Sequence, residues 1–373
     1  MKTKVAKKPV NIKSNGIPEI DELLRRVIDK KASDLHLVVQ SPPILRIDGL
    51  MVPQEDLPPL HPDDIEALLS QAVTKDQRNT FINEHELDSA YSVAGLGRFR
   101  LNALKQRGST SLAFRLVPYD APTIDELGIP QVCKQLIQKP RGLILVTGPS
   151  GSGKSTTLAA MINHLNKNEQ RNVITIEEPI EFLFKNDKCV IHQREIGSDT
   201  TSFAKALKHS LRHDPDVIVI GEMRDLATVS TAMRAAETGH LVLGTLHTID
   251  AAQSIDRIID VFPPAQQRQM RLQLSQVIEA VLSQVLLPRT DGGRIAAFEI
   301  MMATNVIRRL IREERIFDIP PNIETGKLEG MQTLDQALAD LVLRNLVTRE
   351  EAMMRSSNPA KLDELLSYSI QLA

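Results

Sequence analysis

From residue 142 onward one pattern recurs: a short, mainly apolar run, a polar or glycine-rich break, then a stretch whose apolar residues return every three or four positions. The runs lie at 143–146, 173–176, 217–220 and 241–246; the helical stretch after the first carries Leu158, Ala159 and Met161, and later ones lie at 201–212 and 226–237. Mainly apolar runs of this length, broken only by Thr175, Gly244 and Thr245, predict strands buried on both faces. The alternation with helices predicts an α/β domain built on a parallel sheet. A further strand is expected at 189–193, helices at 250–259 and 264–284, and a last strand at 294–300. The rest is helical, with Thr348 and Asn358 placed as N-caps and Pro359 at a first helical position.

Before residue 118 the pattern differs. An amphipathic helix is expected at 19–31, strands at 34–40 and 44–48, and two helices within 62–82, the second opened by Thr74. A three-strand meander follows over 86–117 with glycine turns, so residues 17–117 read as a separate α+β domain. Residues 118–140, with Pro118, Pro122 and Pro130, read as a linker. The expected organisation is a basic tail at 1–16, an N-terminal domain at 17–117, a linker at 118–140, an α/β core at 141–300 and a helical region at 301–373.

Composition narrows the function. The net charge is −2 and aromatics make up 3% of 373 residues, with no Trp. A single-stranded nucleic-acid channel needs positive charge and stacking rings together, so no nucleic-acid partner is expected. Cys133 and Cys189 stand alone, without zinc-site or disulfide spacing. The first 18 residues hold five lysines but no following apolar stretch, which predicts a disordered tail rather than a signal peptide. A cytoplasmic protein is expected.

The chemistry starts where the run at 143–146 ends. Gly148-Pro149-Ser150-Gly151-Ser152-Gly153-Lys154-Ser155-Thr156 is a P-loop between a strand and a helix. Its glycines let successive N–H groups turn inward onto phosphate, and the helix adds its positive end. Lys154 can reach the β- and γ-phosphates and Ser155 can ligate Mg²⁺, so ATP and Mg²⁺ are the expected cofactors. The run at 173–176 ends in Glu177, Glu178 and, past Pro179, Glu181; these are candidates for polarising water or holding Mg²⁺ through its waters. Gly221-Glu222 closes the run at 217–220 in the Walker B manner, with Glu222 as the metal or water ligand. Asp216 reads as a strand starter. His240 and His247 bracket the fourth run, where a neutral imidazole can report a γ-phosphate. Arg98, Arg100 and Arg115 lie on predicted strands, and residue types alone make them a solvated or salt-bridged face, as they make Ser33, Asp34 and His36 a structural polar group.

Seven motifs in order carry a resemblance: KASDLHL, GRFRLNALKQRG, RGLILVTGPSGSGKSTTLAAM, ITIEEPIEF, LRHDPDVIVIGEMRD, AAETGHLVLGTLHT and IDRIIDVFP. With them the chain resembles the type IV pilus retraction ATPases of the PilT kind, in the secretion-ATPase superfamily; GMQTLDQAL and VIRRLIREE favour the retraction branch. The resemblance implies a PAS-like N-terminal domain, a RecA-like core and a homohexamer with nucleotide at its interfaces. It implies Glu181 as general base, Glu222 as Walker B acid, His240 and His247 as the His box, and Arg100 and Arg115 as arginines reaching nucleotide across an interface. It further implies a cytoplasmic position at the inner membrane, an inner-membrane platform protein as partner, and an accessory paralogous ATPase. Glu178 stands where the family usually has Asp and Ser150 where it usually has Thr, which keeps the chemistry type. The four-cysteine module usual in assembly ATPases has no counterpart after Cys189.

Overall fold

In a computed structural model the described residues are 16–119 and 121–370, the last three by backbone alone. The expected basic tail at 1–16 lies outside them except for Gly16. Backbone contacts divide the chain into two units after Tyr119.

The first unit runs α1 (Ile20–Asp29), β1 (Asp34–Leu37), β2 (Ile44–Ile47), β3 (Leu50–Pro53), α2 (Pro62–Ala72), α3 (Lys75–Glu84), β4 (Glu86–Val93), β5 (Gly97–Gln106) and β6 (Ser109–Val117). Its six strands form one antiparallel sheet in the order β3-β2-β1-β6-β5-β4. Strand periodicity sets which face is covered. Leu35, Leu37, Phe99, Leu101, Ala103, Leu112 and Phe114 point to one side and share a single core with Leu23, Leu24, Ile65, Leu69 and Phe81 from the helices. The opposite face carries the polar set. Thr74 caps α3 as expected, and the structure adds a reciprocal pair with Gln77.

The second unit opens with α4 (Val132–Ile137), β7 (Gly142–Thr147), α5 (Lys154–Asn168), β8 (Asn172–Glu177), β9 (Val190–Glu195), α6 (Phe203–Ser210), β10 (Val217–Ile220), α7 (Leu226–Glu237) and β11 (Leu241–Leu246). It continues with α8 (Ala251–Asp260), α9 (Pro264–Val277), β12 (Ile278–Pro288), β13 (Arg294–Met302), α10 (Asn305–Arg312), α11 (Ile319–Thr325), α12 (Leu334–Leu343), α13 (Arg349–Arg355) and α14 (Pro359–Ile370). Seven strands lie in the order β13-β12-β7-β11-β10-β8-β9, all parallel except β13. Every residue of β7, β10 and β11 is buried. Leu143 and Leu145 meet one helical layer with Val229, Ile255 and Leu274; Ile144 and Val146 meet the other with Leu158, Met161 and Cys133. Among the described residues no helix is long and apolar enough to cross a membrane.

Two expectations are corrected here. Residues 121–140 are not a free linker: Ile124, Ile129, Leu136 and Ile137 are buried in the core of the second unit despite the surrounding prolines. The helix expected over 264–284 stops at Val277, and β12 takes over from Ile278. The stretch from Ile278 is mainly apolar, interrupted by Glu279, Ser283 and Gln284, and fits a buried strand as well as a buried helix. Its slot beside the P-loop strand, paired in parallel with β7 and antiparallel with β13, decides for strand.

The terminal helices pack on the far end of this sheet, with Leu338, Leu362 and Ala352 against Leu287 and Ile295. Asp335, 4% exposed, fastens them. Its carboxylate accepts from the Ser356 hydroxyl (2.6 Å), the Ser357 hydroxyl (2.7 Å) and the Ser357 and Asn358 N–H groups (3.1 Å each).

Candidate functional site

Parallel pairing brings the carboxyl ends of β7, β8, β10 and β11 to one edge of the second unit, where open α/β sheets hold their ligands. Gly148 follows β7, Glu177 ends β8, Gly221 and Glu222 follow β10, and His247 follows β11. One cleft is lined by Ser150, Lys154, Ser155, Glu178, Glu181, Glu222 and His247 together with Gly151, Gly153 and Thr156.

The loop is shaped as a cradle. Gly148, Gly151 and Gly153 have φ of +141°, +76° and +92°, in the range that favours glycine. A Cβ on Gly148 would sit 2.3 Å from the Gln284 carbonyl oxygen and 2.7 Å from Ser152 Oγ. Gly153 stands at the N-terminal end of the 15-residue α5, whose unpaired N–H groups and dipole suit an anion. Lys154 Nζ donates back to the carbonyls of Gly148 (2.8 Å) and Pro149 (3.0 Å), at the mouth of the loop. Burial holds its ammonium below the ordinary lysine range, against the pull of Glu222 and Glu181. These residues fit a nucleotide polyphosphate.

The acidic wall is built by three segments. Burial raises the Glu222 carboxyl, but the hydrogen bond from Arg224 and the nearby His247 outweigh it and hold the group below its usual range. His247 Nε2 lies 3.3 Å from Glu222 Oε1, while its Nδ1 is 3.5 Å from Ser150 Oγ. The imidazole therefore spans the P-loop and the carboxylate that follows β10. Glu177 is half-buried and raised above the ordinary carboxylic range by that burial. It accepts from Thr175 Oγ1 (2.6 Å), Gln193 Nε2 (3.2 Å) and the Glu181 N–H (3.5 Å), which anchors the turn carrying Glu178 and Glu181. Among the described residues no three His, Cys, Asp or Glu side chains gather closely enough to hold a metal ion by themselves.

Other expected residues are not brought to the cleft. His240 precedes β11, so a six-residue strand, roughly 20 Å at strand rise, separates it from His247. Its Nδ1 lies 2.9 Å from the Ala235 carbonyl oxygen and its own carbonyl accepts from the Gly142 N–H (3.0 Å). Within this chain His240 closes a turn, and the geometry does not support the catalytic role expected for it. Asp216 is at the same far end, accepting from the Asn172 N–H (2.8 Å), the strand-starting part expected of it. Arg100 and Arg115 belong to the first unit, directly opposite each other on β5 and β6. Arg115 Nε donates to Asp34 Oδ1 at 2.8 Å, and Arg46 approaches the same carboxylate at 3.8 Å. Ser33 Oγ also donates to Asp34 (2.7 Å), so the Ser33–Asp34 group is part of this ladder.

Several site residues escape sequence reasoning. Gln284, Ser283 and Thr147 pack behind the loop, and two of them sit on the strand misread as a helix. Arg224, paired with Glu222, lines the cleft too. Leu127, Ile129, Leu286 and Ala296 give the cleft an apolar wall beside the loop.

The seven-stranded sheet and the loop define a RecA-like P-loop ATPase domain joined to an N-terminal α+β domain. The family model described as type II/IV secretion system protein matches residues 13–293. The type IV pilus retraction ATPase PilT of Pseudomonas aeruginosa is 46% identical over 341 residues, covering 91% of this chain and 99% of that protein. A twitching motility protein of Neisseria gonorrhoeae is 43% identical over 317 residues, covering 85% of this chain and 84% of the other. A crystal structure of the pilus retraction motor PilT with bound ADP superposes with a TM-score of 0.85 at 45% identity, covering 93% of this chain and 99% of that one. The chain belongs to the type II/IV secretion ATPase family, in its PilT branch.

Proposed function

We propose that this chain is an ATP-hydrolysing motor that powers type IV pilus retraction, and through it twitching motility. The observation that carries the chemistry is the convergence of Lys154, Ser155, Glu181, Glu222 and His247 on one cleft. ATP lies along the P-loop with its phosphates on the N–H groups ahead of α5. Ser155, Glu222 and Glu178 are the residues that would hold Mg²⁺, which would supply neutralisation of the phosphate charge. Glu181 orients water and takes its proton, and Lys154 shifts from its loop carbonyls to the developing charge. His247, touching both Ser150 and Glu222, senses whether the γ-phosphate is there.

Resemblance supplies the assembly. The chain forms a homohexamer in which Arg100 and Arg115 deliver positive charge to the nucleotide of an adjoining copy, and loss of one arginine costs roughly 10³-fold in turnover. Arg115 must then exchange its Asp34 partner for phosphate. The ring works in the cytoplasm at the inner membrane, against a platform protein and alongside an accessory paralogous ATPase. No nucleic acid takes part.

Steady-state hydrolysis with Mg²⁺ across protein concentration, for wild type and Glu181→Gln, tests this. A rate per subunit that climbs with concentration in wild type and collapses in the mutant is expected. Nucleotide binding without turnover in the wild type would overturn the motor in favour of an accessory subunit.

A further inference from the structure

Gln284 is 1% exposed on β12 and belongs to none of the motifs above, yet its side chain lies between two parts of the P-loop segment. Its Nε2 donates to the Ser152 carbonyl at 2.7 Å, and its Oε1 accepts from Thr157 Oγ1 at 2.9 Å. A carbonyl can only accept, so the amide end must face Ser152, and the Thr157 hydroxyl secures that orientation from the first turns of α5. Ser152 and Thr157 are themselves 3% and 2% exposed, so no water competes for these bonds.

We propose that Gln284 is a positioning residue for the nucleotide, setting the P-loop in its anion-binding form. The argument rests on the nucleotide site described above and on peptide geometry. In a planar trans peptide the carbonyl and the following N–H point to opposite sides. By drawing the Ser152 carbonyl toward β12, Gln284 turns the Gly153 N–H away from it and leaves that donor to an anion in the loop. Glycine at 153 follows from its φ of +92°, and a Cβ there would also press on the brace, 3.2 Å from Gln284 Nε2. Without the amide donor the Ser152–Gly153 peptide has no fixed orientation, and phosphate binding must supply it.

Titration of a fluorescent ADP analogue and ATP kinetics on the full chain test the proposal. Gln284→Met removes both bonds; Gln284→Glu keeps the Thr157 bond but sets a carboxylate against the Ser152 carbonyl. The expected result is ADP binding about tenfold weaker for the Met variant and weaker still for Glu, with the loss falling more on KM than on kcat. A residue that merely filled space would lower the urea midpoint and leave the dissociation constant of the folded protein in place. ADP affinity within twofold of wild type in a folded Gln284→Met protein overturns the proposal. If neither Gln284 variant folds, Thr157→Val decides, with about threefold weakening expected and none overturning it. Lys154→Ala, measured beside them, reports on the nucleotide site itself, so failure of that site and failure of the brace are told apart.

Discussion

Glu299 offers a stability test that is independent of the motor cycle. It sits on β13, half-buried, with Oε1 accepting the N–H of Ala251 at 2.7 Å at the start of α8. Burial raises its pKa from 4.5 to about 7, the Ala251 bond pulls the other way, and the nearby charges of Asp250 and Asp335 add to the rise. The folded state therefore holds the proton more tightly than the unfolded chain. The resulting stability is complete below pH 4.5 and is lost as pH rises through about 7. At 1.36 kcal/mol per unit the full loss is about 3 kcal/mol, of which about 2 kcal/mol falls between pH 5.5 and 8.5.

Glu299→Gln isolates that contribution. The amide keeps an acceptor for Ala251 and cannot ionise. Urea unfolding of both proteins at fixed concentration, stepped from pH 5.5 to 8.5, should show the wild type losing stability relative to the variant by about 2 kcal/mol. Every other titrating group is common to both chains and cancels in the difference. Parallel pH profiles would refute the reasoning, because they would mean that the carboxyl ionises as easily in the fold as outside it.

Two further substitutions probe the loop and the terminal helices. Gly148→Ala places a Cβ 2.3 Å from the Gln284 carbonyl at a φ of +141°, so ADP binding should weaken at least about tenfold; titration with the same fluorescent analogue checks it, and an unchanged affinity would mean the loop can shift freely. Asp335→Ala strands four donors around Ser356 to Asn358 and should cost about 2–3 kcal/mol, read as a lower urea midpoint and faster proteolysis between α12 and α14.

The runs at 143–146, 217–220 and 241–246 could be read as strands because each is short, rich in apolar residues and ends at a glycine or polar break, which favours a strand covered on both faces over a buried helix. The catalytic edge followed, since whatever comes after a parallel strand is delivered to the same side. Direction along the strand, however, separates His240 from His247, and the bracketing pattern in sequence hides it: one precedes β11 and the other follows it. The prolines around 118–140 misled for a related reason, because a proline-punctuated segment can still bury Ile124, Leu136 and Ile137 when a helix face lies beneath it.

β12 shows where reading from one dimension ends. Ile278 to Leu287 carries no period that separates a buried strand from a buried helix, and its identity comes from the neighbours at β7 and β13. The same neighbours give its two buried polar side chains their work. Ser283 receives the Thr147 hydroxyl at 2.8 Å, and Gln284 holds Ser152 and Thr157. A polar pair inside an apolar run is costly to bury unless partners are waiting. Here the partners are the end of the P-loop strand, the loop itself and the helix it opens. A buried polar residue in an otherwise apolar run was therefore the one local signal for these positions, and it becomes specific only once the sheet order sets β12 beside the loop.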